Sequence, residues 1–490
     1  MQKYEHAFGK NDIRGIYGKD ITEELFFYTG IGYVKYLKKM SGKNFDKIWI
    51  TVSRDARLHS PALAKSLIQG ILSTGANVVD LGLAPTPIGY YSEAKGVPKQ
   101  ITDGEKVIGA AIVTASHNPS EYNGLKMTYS GCTLNEDEIR EVKELTFAQM
   151  QNQNNESEMQ GKLKNYDLVS DYIEDMKNRF MGLCEGVKVV VDSANATGGI
   201  VAPKLYRELG CEVTELFSEP DGSFPNHHPN PSVESTLDTL KQVVKQEKAD
   251  IGIAFDGDSD RIGIVDNEGN YLTGDKLLLI YAQDMIEGMK DNEPVVVSEV
   301  KCSQVLFDTI DKIGGKSVMA KTGHGYIKSM MKETGALLAG EMSGHTFFKD
   351  RYYGFDDAVY AGCRILEIVS KHKKLNPNFS IKELLKPFNE VYSSSEVRYP
   401  CPNELKKSVL SAVQRRIETN PNVFGSPIKD IITLDGMRII FEGGFALIRQ
   451  SNTEPVFTLR FEAKDKIQSD MFKNAMIRML DDELKLTTKL

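Results

Sequence analysis

At 490 residues the chain is too long for a single hydrophobic core and has room for about three or four domains of ordinary size. Its 41% apolar and 26% charged residues are those of a globular protein, which excludes disordered and fibrous classes. The net charge of -8 disfavours nucleic acid as the main partner, and no apolar run reaches membrane-spanning length, so neither nucleic acid nor membrane is expected to bind.

In chain order, apolar strand-like runs alternate with helix-like segments, which predicts α/β architecture with largely parallel sheets. The opening MQKYEHAFGK has no signal-peptide core, and the six cysteines include no CxxC pair. Both suit a cytoplasmic protein with reduced thiols. Arg14 follows Asp12-Ile13. Residues 47–52 read as a strand. A second run, 108–113, is broken only by Gly109 and leads into Thr114-Ala115-Ser116-His117-Asn118-Pro119. Asn-Pro marks a turn, so Ser116 sits on the loop at the strand's exit. Loops at the carboxyl ends of such strands bind ligands, and a serine there is a candidate nucleophile or phosphate carrier. Residues 148–165, rich in Gln, Asn, Glu and Ser, read as a linker.

Two further strands are expected at 187–191 and 251–255. The second delivers Asp256-Gly257-Asp258-Ser259-Asp260-Arg261. Three carboxylates at alternate positions suit one hard cation, and oxygen-only ligands favour Mg²⁺ over zinc. A calcium EF-hand loop fails, because Arg261 stands where Gly belongs and Asn267 where Glu belongs. A haloacid-type aspartyl-phosphate enzyme fits Asp256 and Asp258, but Asp260 departs from its pattern. An acidic surface turn is the bland alternative.

Residues 295–297 read as a strand, with Lys301 soon after and His324 further on. Gly315-Lys316-Ser317 looks like part of a P-loop, but Ile310 stands where its first glycine belongs. Residues 337–339 deliver Gly340-Glu341-Met342-Ser343-Gly344-His345. A carboxylate and a hydroxyl on a tight loop suit vicinal sugar hydroxyls, or else the loop caps the next segment. Asp356-Asp357 reads as the cap of a helix beginning near Ala358. Residues 370–380 form a second linker. Residues 431–461 hold short strands joined by Gly436, Gly443 and Gly444, followed by a helical stretch, which suggests a smaller α+β domain. Within it, Arg449-Gln450-Ser451-Asn452-Thr453-Glu454-Pro455 offers a dense donor set for a phosphate dianion.

In this order, Asp12-Ile13-Arg14-Gly15, the Ser116 loop, the Asp256 loop, the Glu341 loop and the Arg449 loop resemble the α-D-phosphohexomutases, and among them the bacterial phosphomannomutase/phosphoglucomutases. The resemblance covers essentially the whole chain. It implies three similar mixed α/β domains (1–160, 161–270, 271–380) and a smaller C-terminal α+β domain (381–490) around a central cleft. It implies a phosphoserine at Ser116 and Mg²⁺ held by Asp256, Asp258, Asp260 and a phosphoserine oxygen, with His117 and Arg261 beside the metal. Lys126 becomes the first choice for general acid/base, with Arg14 and His324 next. Glu341 and Ser343 would read sugar hydroxyls, with His345 and Lys301 also binding substrate. Arg449, Ser451, Asn452 and Thr453 would grip the phosphate not being transferred. The implied activity is reversible interconversion of hexose 1- and 6-phosphates through a 1,6-bisphosphate, which also serves as activator, in a monomer or homodimer. Met342 stands where phosphoglucosamine mutases usually have Gln, which points towards glucose and mannose phosphates. Tyr352 stands where the family often has Trp, a change expected at a cleft wall. A phosphatase, a phosphoglucosamine mutase and a silent sugar-phosphate sensor are the competing readings.

Overall fold

A computed structural model describes residues 2–152, 160–289, 292–451 and 454–487. It divides into two compact units, Met1–Thr273 with Ser343–Ile381, and Gly274–Met342 with Lys382–Leu490.

The first unit begins with a mixed sheet of β1 (Ile13–Ile16), β2 (Trp49–Arg54), β3 (Asn77–Leu83), β4 (Val107–Val113), β5 (Tyr122–Tyr129), β6 (Cys132–Thr133) and β7 (Leu163–Asn165). Its order is β1-β5-β4-β2-β3-β7, with β6 on β5. β4, β2, β3 and β7 run parallel, β5 runs antiparallel to β4, and β1 runs antiparallel to β5. β2 and β4 are buried nearly throughout, and β4 is apolar along its whole length, as suits strands covered on both faces. Ile50, Val52, Ala111 and Val113 share one core with Leu25, Leu63, Leu67 and Ile71 of the flanking helices. Register pairs Arg54 with Val113, so the loops after β2 and β4 leave the sheet side by side.

The second sheet contains β8 (Lys188–Asp192), β9 (Glu212–Leu216), β10 (Ile251–Phe255), β11 (Ile262–Asp266) and β12 (Tyr271–Leu272), ordered β12-β11-β10-β8-β9. β10 and β11 are antiparallel, and Phe255 faces Ile262 across the acidic loop.

In the second unit β13 (Val295–Glu299) lies parallel to both β14 (Lys316–Ala320) and β15 (Leu338–Gly340). The chain then forms β16 (Thr346–Phe348) in the first unit. The C-terminal sheet is antiparallel: β17 (Tyr392–Ser393), β18 (Val397–Pro400), β19 (Asp430–Ile432), β20 (Met437–Phe441), β21 (Gly444–Gln450) and β22 (Val456–Ala463). Helices Asn403–Thr419 and Lys466–Thr487 cover it, burying Val409, Val413, Phe472 and Met476 against Ile448 and Leu459.

Both expected linkers are shorter than their composition suggested. Residues 148–152 finish the helix Glu136–Asn152, residues 163–165 pair with β3, and 153–159 lie outside the described residues. Residues 370–375 end the helix Ala358–Leu375, where His372, Lys373 and Lys374 complement the negative end of the helix dipole.

Glu93, on the helix Thr86–Ala94, accepts hydrogen bonds from Thr128 Oγ1 and, at 3.0 Å, from Gly131 N. Burial outweighs both and pushes its carboxyl up to about 7. The folded state therefore binds more protons than the unfolded one between the ordinary glutamate value and about 7, so stability falls as pH rises through that window. Glutamine copies the protonated carboxyl, accepting from Gly131 and donating to Thr128. Glu93→Gln is expected to add about 2 kcal/mol near pH 8, allowing for residual exposure, and nothing near pH 4. Thermal unfolding at the two pH values checks this, and equal midpoints near pH 8 contradict it.

Candidate active site

Ser116 leaves β4 in the left-handed region, at φ 50°, which is uncommon for a residue with a Cβ. Its N–H donates to Thr114 Oγ1 at 2.9 Å. Its Oγ donates to Asp256 Oδ2 at 2.7 Å and lies 3.1 Å from His117 Nδ1. The contact requires Gly257, because a Cβ there would stand 2.3 Å from the Ser116 carbonyl oxygen.

Asp256, Asp258 and Asp260 are buried, and each offers an oxygen within 4.8 Å of the others. Lys126 Nζ donates to Asp258 Oδ2 at 2.7 Å and Asp260 Oδ2 at 2.5 Å. Thr86 Oγ1 also donates to Asp258 Oδ2, at 2.7 Å. Among the described residues no donor reaches the buried Asp258 Oδ1. A buried carboxylate oxygen so placed, in an all-oxygen donor set, suits a hard cation such as Mg²⁺. Burial, then Asp258 and Asp260, push the Asp256 carboxyl well above the usual carboxylate range. Burial would lower the Lys126 ammonium, but Asp258 and Asp260 outweigh it and hold the amine charged. Burial, with Arg261 and Arg14, pushes His117 well below the ordinary histidine range, so it is neutral near pH 7.

Arg14 brackets the Ser116 turn, donating to Asn118 Oδ1 at 2.7 Å and Asp12 Oδ2 at 2.5 Å. Arg261 Nε lies 3.3 Å from His345 Nε2 and 4.0 Å from Asp256 Oδ2. His345 Nε2 is also 3.4 Å from Asp260 Oδ1, and its Nδ1 is 3.1 Å from Ser343 Oγ. The Asp356-Asp357 pair divides. Asp357 caps the helix Ala358–Leu375 through Tyr360 N at 2.9 Å, as expected. Asp356 instead groups with Asp260 and His345. Tyr352 is buried, stacks on Tyr360 and donates to Asp357 at 2.7 Å, so the Trp-to-Tyr departure alters a support beneath the cap.

The second unit gathers the remaining candidates. Lys301 Nζ lies 3.6 Å from both Glu299 and Glu396. Glu299, buried, accepts from Met342 N at 2.8 Å. Glu341 Oε1 accepts from Gly323 N at 2.8 Å, at the start of the helix His324–Thr334 that His324 opens. Asp435 Oδ2 accepts from Arg449 Nε and from Thr322 N, each at 3.1 Å, tying the Arg449 strand to the His324 loop. Lys406 Nζ holds the Ser451 carbonyl at 2.8 Å. Asn452 and Thr453 lie outside the described residues.

Four domain profiles match in this order. Three are phosphoglucomutase/phosphomannomutase alpha/beta/alpha domains I, II and III, over residues 5–153, 170–269 and 273–388. The fourth is the C-terminal domain, over 396–478. The phosphomannomutase/phosphoglucomutase of Pseudomonas putida is 38% identical, spanning 98% of this chain and 97% of its own. The phosphoglucomutase of Neisseria gonorrhoeae is 37% identical, spanning 95% of each chain. The chain belongs to the phosphoglucomutase/phosphomannomutase family. A family protein from Burkholderia thailandensis has a similar crystal structure, with a TM-score of 0.85 at 33% identity over 97% of both chains.

Sequence reasoning missed several residues that hold these candidates within each unit. Asp55 and Arg57 hold the Ser116 turn from the neighbouring strand exit. Their signal was available: Arg54-Asp55-Ala56-Arg57 follows a buried strand as Ser116 does. Arg460 donates to the Lys301 carbonyl and lies 3.0 Å from Met342 Sδ, with Asp275 at 3.2 Å on its other nitrogen. Asp435 and Glu299 had no local signal.

Proposed function

We propose that the enzyme interconverts the 1- and 6-phosphates of glucose and mannose by relaying the phosphoryl group through Ser116. The observation that carries this reading is the 2.7 Å hydrogen bond from Ser116 Oγ to Asp256 inside the tri-aspartate loop. A serine in strained backbone beside carboxylates at cation spacing suits a phosphate carrier better than a structural turn.

Asp256, Asp258, Asp260 and a phosphoserine oxygen would hold Mg²⁺, which when bound offsets charge on the phosphoryl oxygens. Arg14 and Arg261 add fixed positive charge on the same side. In the first transfer a sugar O–P bond forms as the Ser116 O–P bond breaks, and the proton of the sugar hydroxyl ends on Ser116 Oγ; the second transfer runs the reverse, the Ser116 O–P bond forming as the other sugar O–P bond breaks and the Oγ proton passing to the sugar oxygen. Lys126 is our choice for that proton's carrier, with Arg14 and His324 as alternatives. Charged on its two carboxylates, it begins as an acid, protonating the departing Oγ before it accepts the sugar's proton. Glu341 and Ser343 would read sugar hydroxyls, with Lys301 and His345 beside them. Arg449, Ser451, Asn452 and Thr453 would hold the phosphate not in transfer. The bisphosphate then turns and returns its other phosphate to Ser116; added hexose 1,6-bisphosphate primes the enzyme. The reading includes domains at 1–160, 161–270, 271–380 and 381–490, a monomer or homodimer, and a cytoplasmic place. No described helix is long and apolar enough to cross a membrane.

A coupled assay with Mg²⁺ and trace bisphosphate tests the proposal on glucose, mannose and glucosamine 1-phosphates, with free phosphate followed in parallel. Comparable conversion of the first two is expected. Turnover of the glucosamine compound alone, or net phosphate release, contradicts it.

A further inference from the structure

Arg57 has no place in the chemistry above, yet every N–H of its guanidinium is used. Nε donates to Asp55 Oδ2 at 3.0 Å. Nη1 donates to the carbonyls of Pro119 at 2.5 Å and Tyr122 at 3.0 Å. Nη2 donates to those of Ser116 at 2.9 Å and Asn118 at 2.6 Å. One planar group thus pins four carbonyls of a single turn, which a lysine's compact ammonium cannot do. Asp55 completes the frame. It accepts from Arg57 N at 3.0 Å, Ser60 Oγ at 2.5 Å and Thr114 Oγ1 at 2.9 Å, and Thr114 Oγ1 in turn receives the Ser116 N–H. The Phe224 ring lies 5.2 Å from the guanidinium, and Gly222 packs on residues 56–58 so closely that a Cβ would meet Ala56 O at 2.3 Å.

Burial opposes the Arg57 charge, and a buried ion pair is a poor stability device compared with apolar packing. What this one does is geometric: it fixes both sides of a serine held at φ 50°.

We propose that Arg57 is a positioning residue for phosphoryl transfer, locking the 116–122 turn so that Oγ meets Asp256 and the phosphate passes to sugar in preference to water. The inference rests on the phosphoserine reading. The first step is therefore mass analysis of wild-type enzyme treated with glucose 1,6-bisphosphate; no phosphate on Ser116 fails that reading itself, whatever Arg57 does.

The test is Arg57→Lys, with Thr114→Val loosening the same turn at the Ser116 N–H. For Arg57→Lys kcat should fall roughly 10- to 100-fold, while KM for glucose 1-phosphate stays within about 3-fold. Inorganic phosphate released per sugar converted should rise on the order of 10-fold. A purely structural role would lower the folded fraction without moving that ratio. Thr114→Val should show the same signature with a smaller fall, and it decides alone should Arg57→Lys fail to fold. Folded variants with wild-type kcat and an unchanged phosphate-to-isomer ratio overturn the proposal.

Discussion

Ser116→Ala is expected to lower turnover of glucose 1-phosphate by roughly 10³-fold or more, with little change in folding. The hydroxyl is the group of this residue that bonds an acidic-loop carboxylate, through Asp256. The backbone restraints on residue 116, from Thr114 and Arg57, use its N–H and carbonyl and survive the substitution. Alanine tolerates φ 50° no better than serine, so the strain is unchanged. Steady-state kinetics beside thermal unfolding separate the outcomes. Turnover within a few-fold of wild type would remove Ser116 from the chemistry.

Asp258→Asn is expected to cost on the order of 10²- to 10³-fold in turnover and to raise the Mg²⁺ concentration needed for half activity. Asp258 Oδ2 is occupied by Thr86 and Lys126, which leaves Oδ1 as the oxygen proposed to meet the cation. The amide retains shape but gives up the charge. Stability should move the other way. Asp258 is one of three buried carboxylates with oxygens within 4.8 Å of one another, and it raises the Asp256 carboxyl by repulsion. With chelator present the variant should therefore unfold at or above the wild-type midpoint. Equal loss of activity and stability would mean that Asp258 is a structural residue.

The two strongest sites were legible because their signals are local. A buried apolar run fixes a strand, its end fixes where the next residues emerge, and Ser116 and Asp256 stand at such ends. Asp357 was legible for the same reason, since a cap bonds three residues ahead. Its neighbour Asp356 was not, because its group forms with Asp260 and His345, which only the fold brings near. Arg460 was hidden likewise, as it reaches a carbonyl remote in sequence, and Arg57, though its place at a strand exit was legible, shows its partners only in the fold. The linkers were overdrawn because polar composition cannot distinguish a loop from a solvent-facing helix end, as residues 148–152 and 370–375 show.

The most direct test follows phosphate on the Ser116 peptide. Enzyme treated with glucose 1,6-bisphosphate is sampled by peptide mass mapping, then chased with glucose 1-phosphate and sampled again on the turnover timescale. The account predicts one phosphoryl group on Ser116 that leaves for the sugar at least as fast as kcat. An unmodified Ser116 during full turnover, or a phosphoserine discharged more slowly than the sugar is converted, would contradict it.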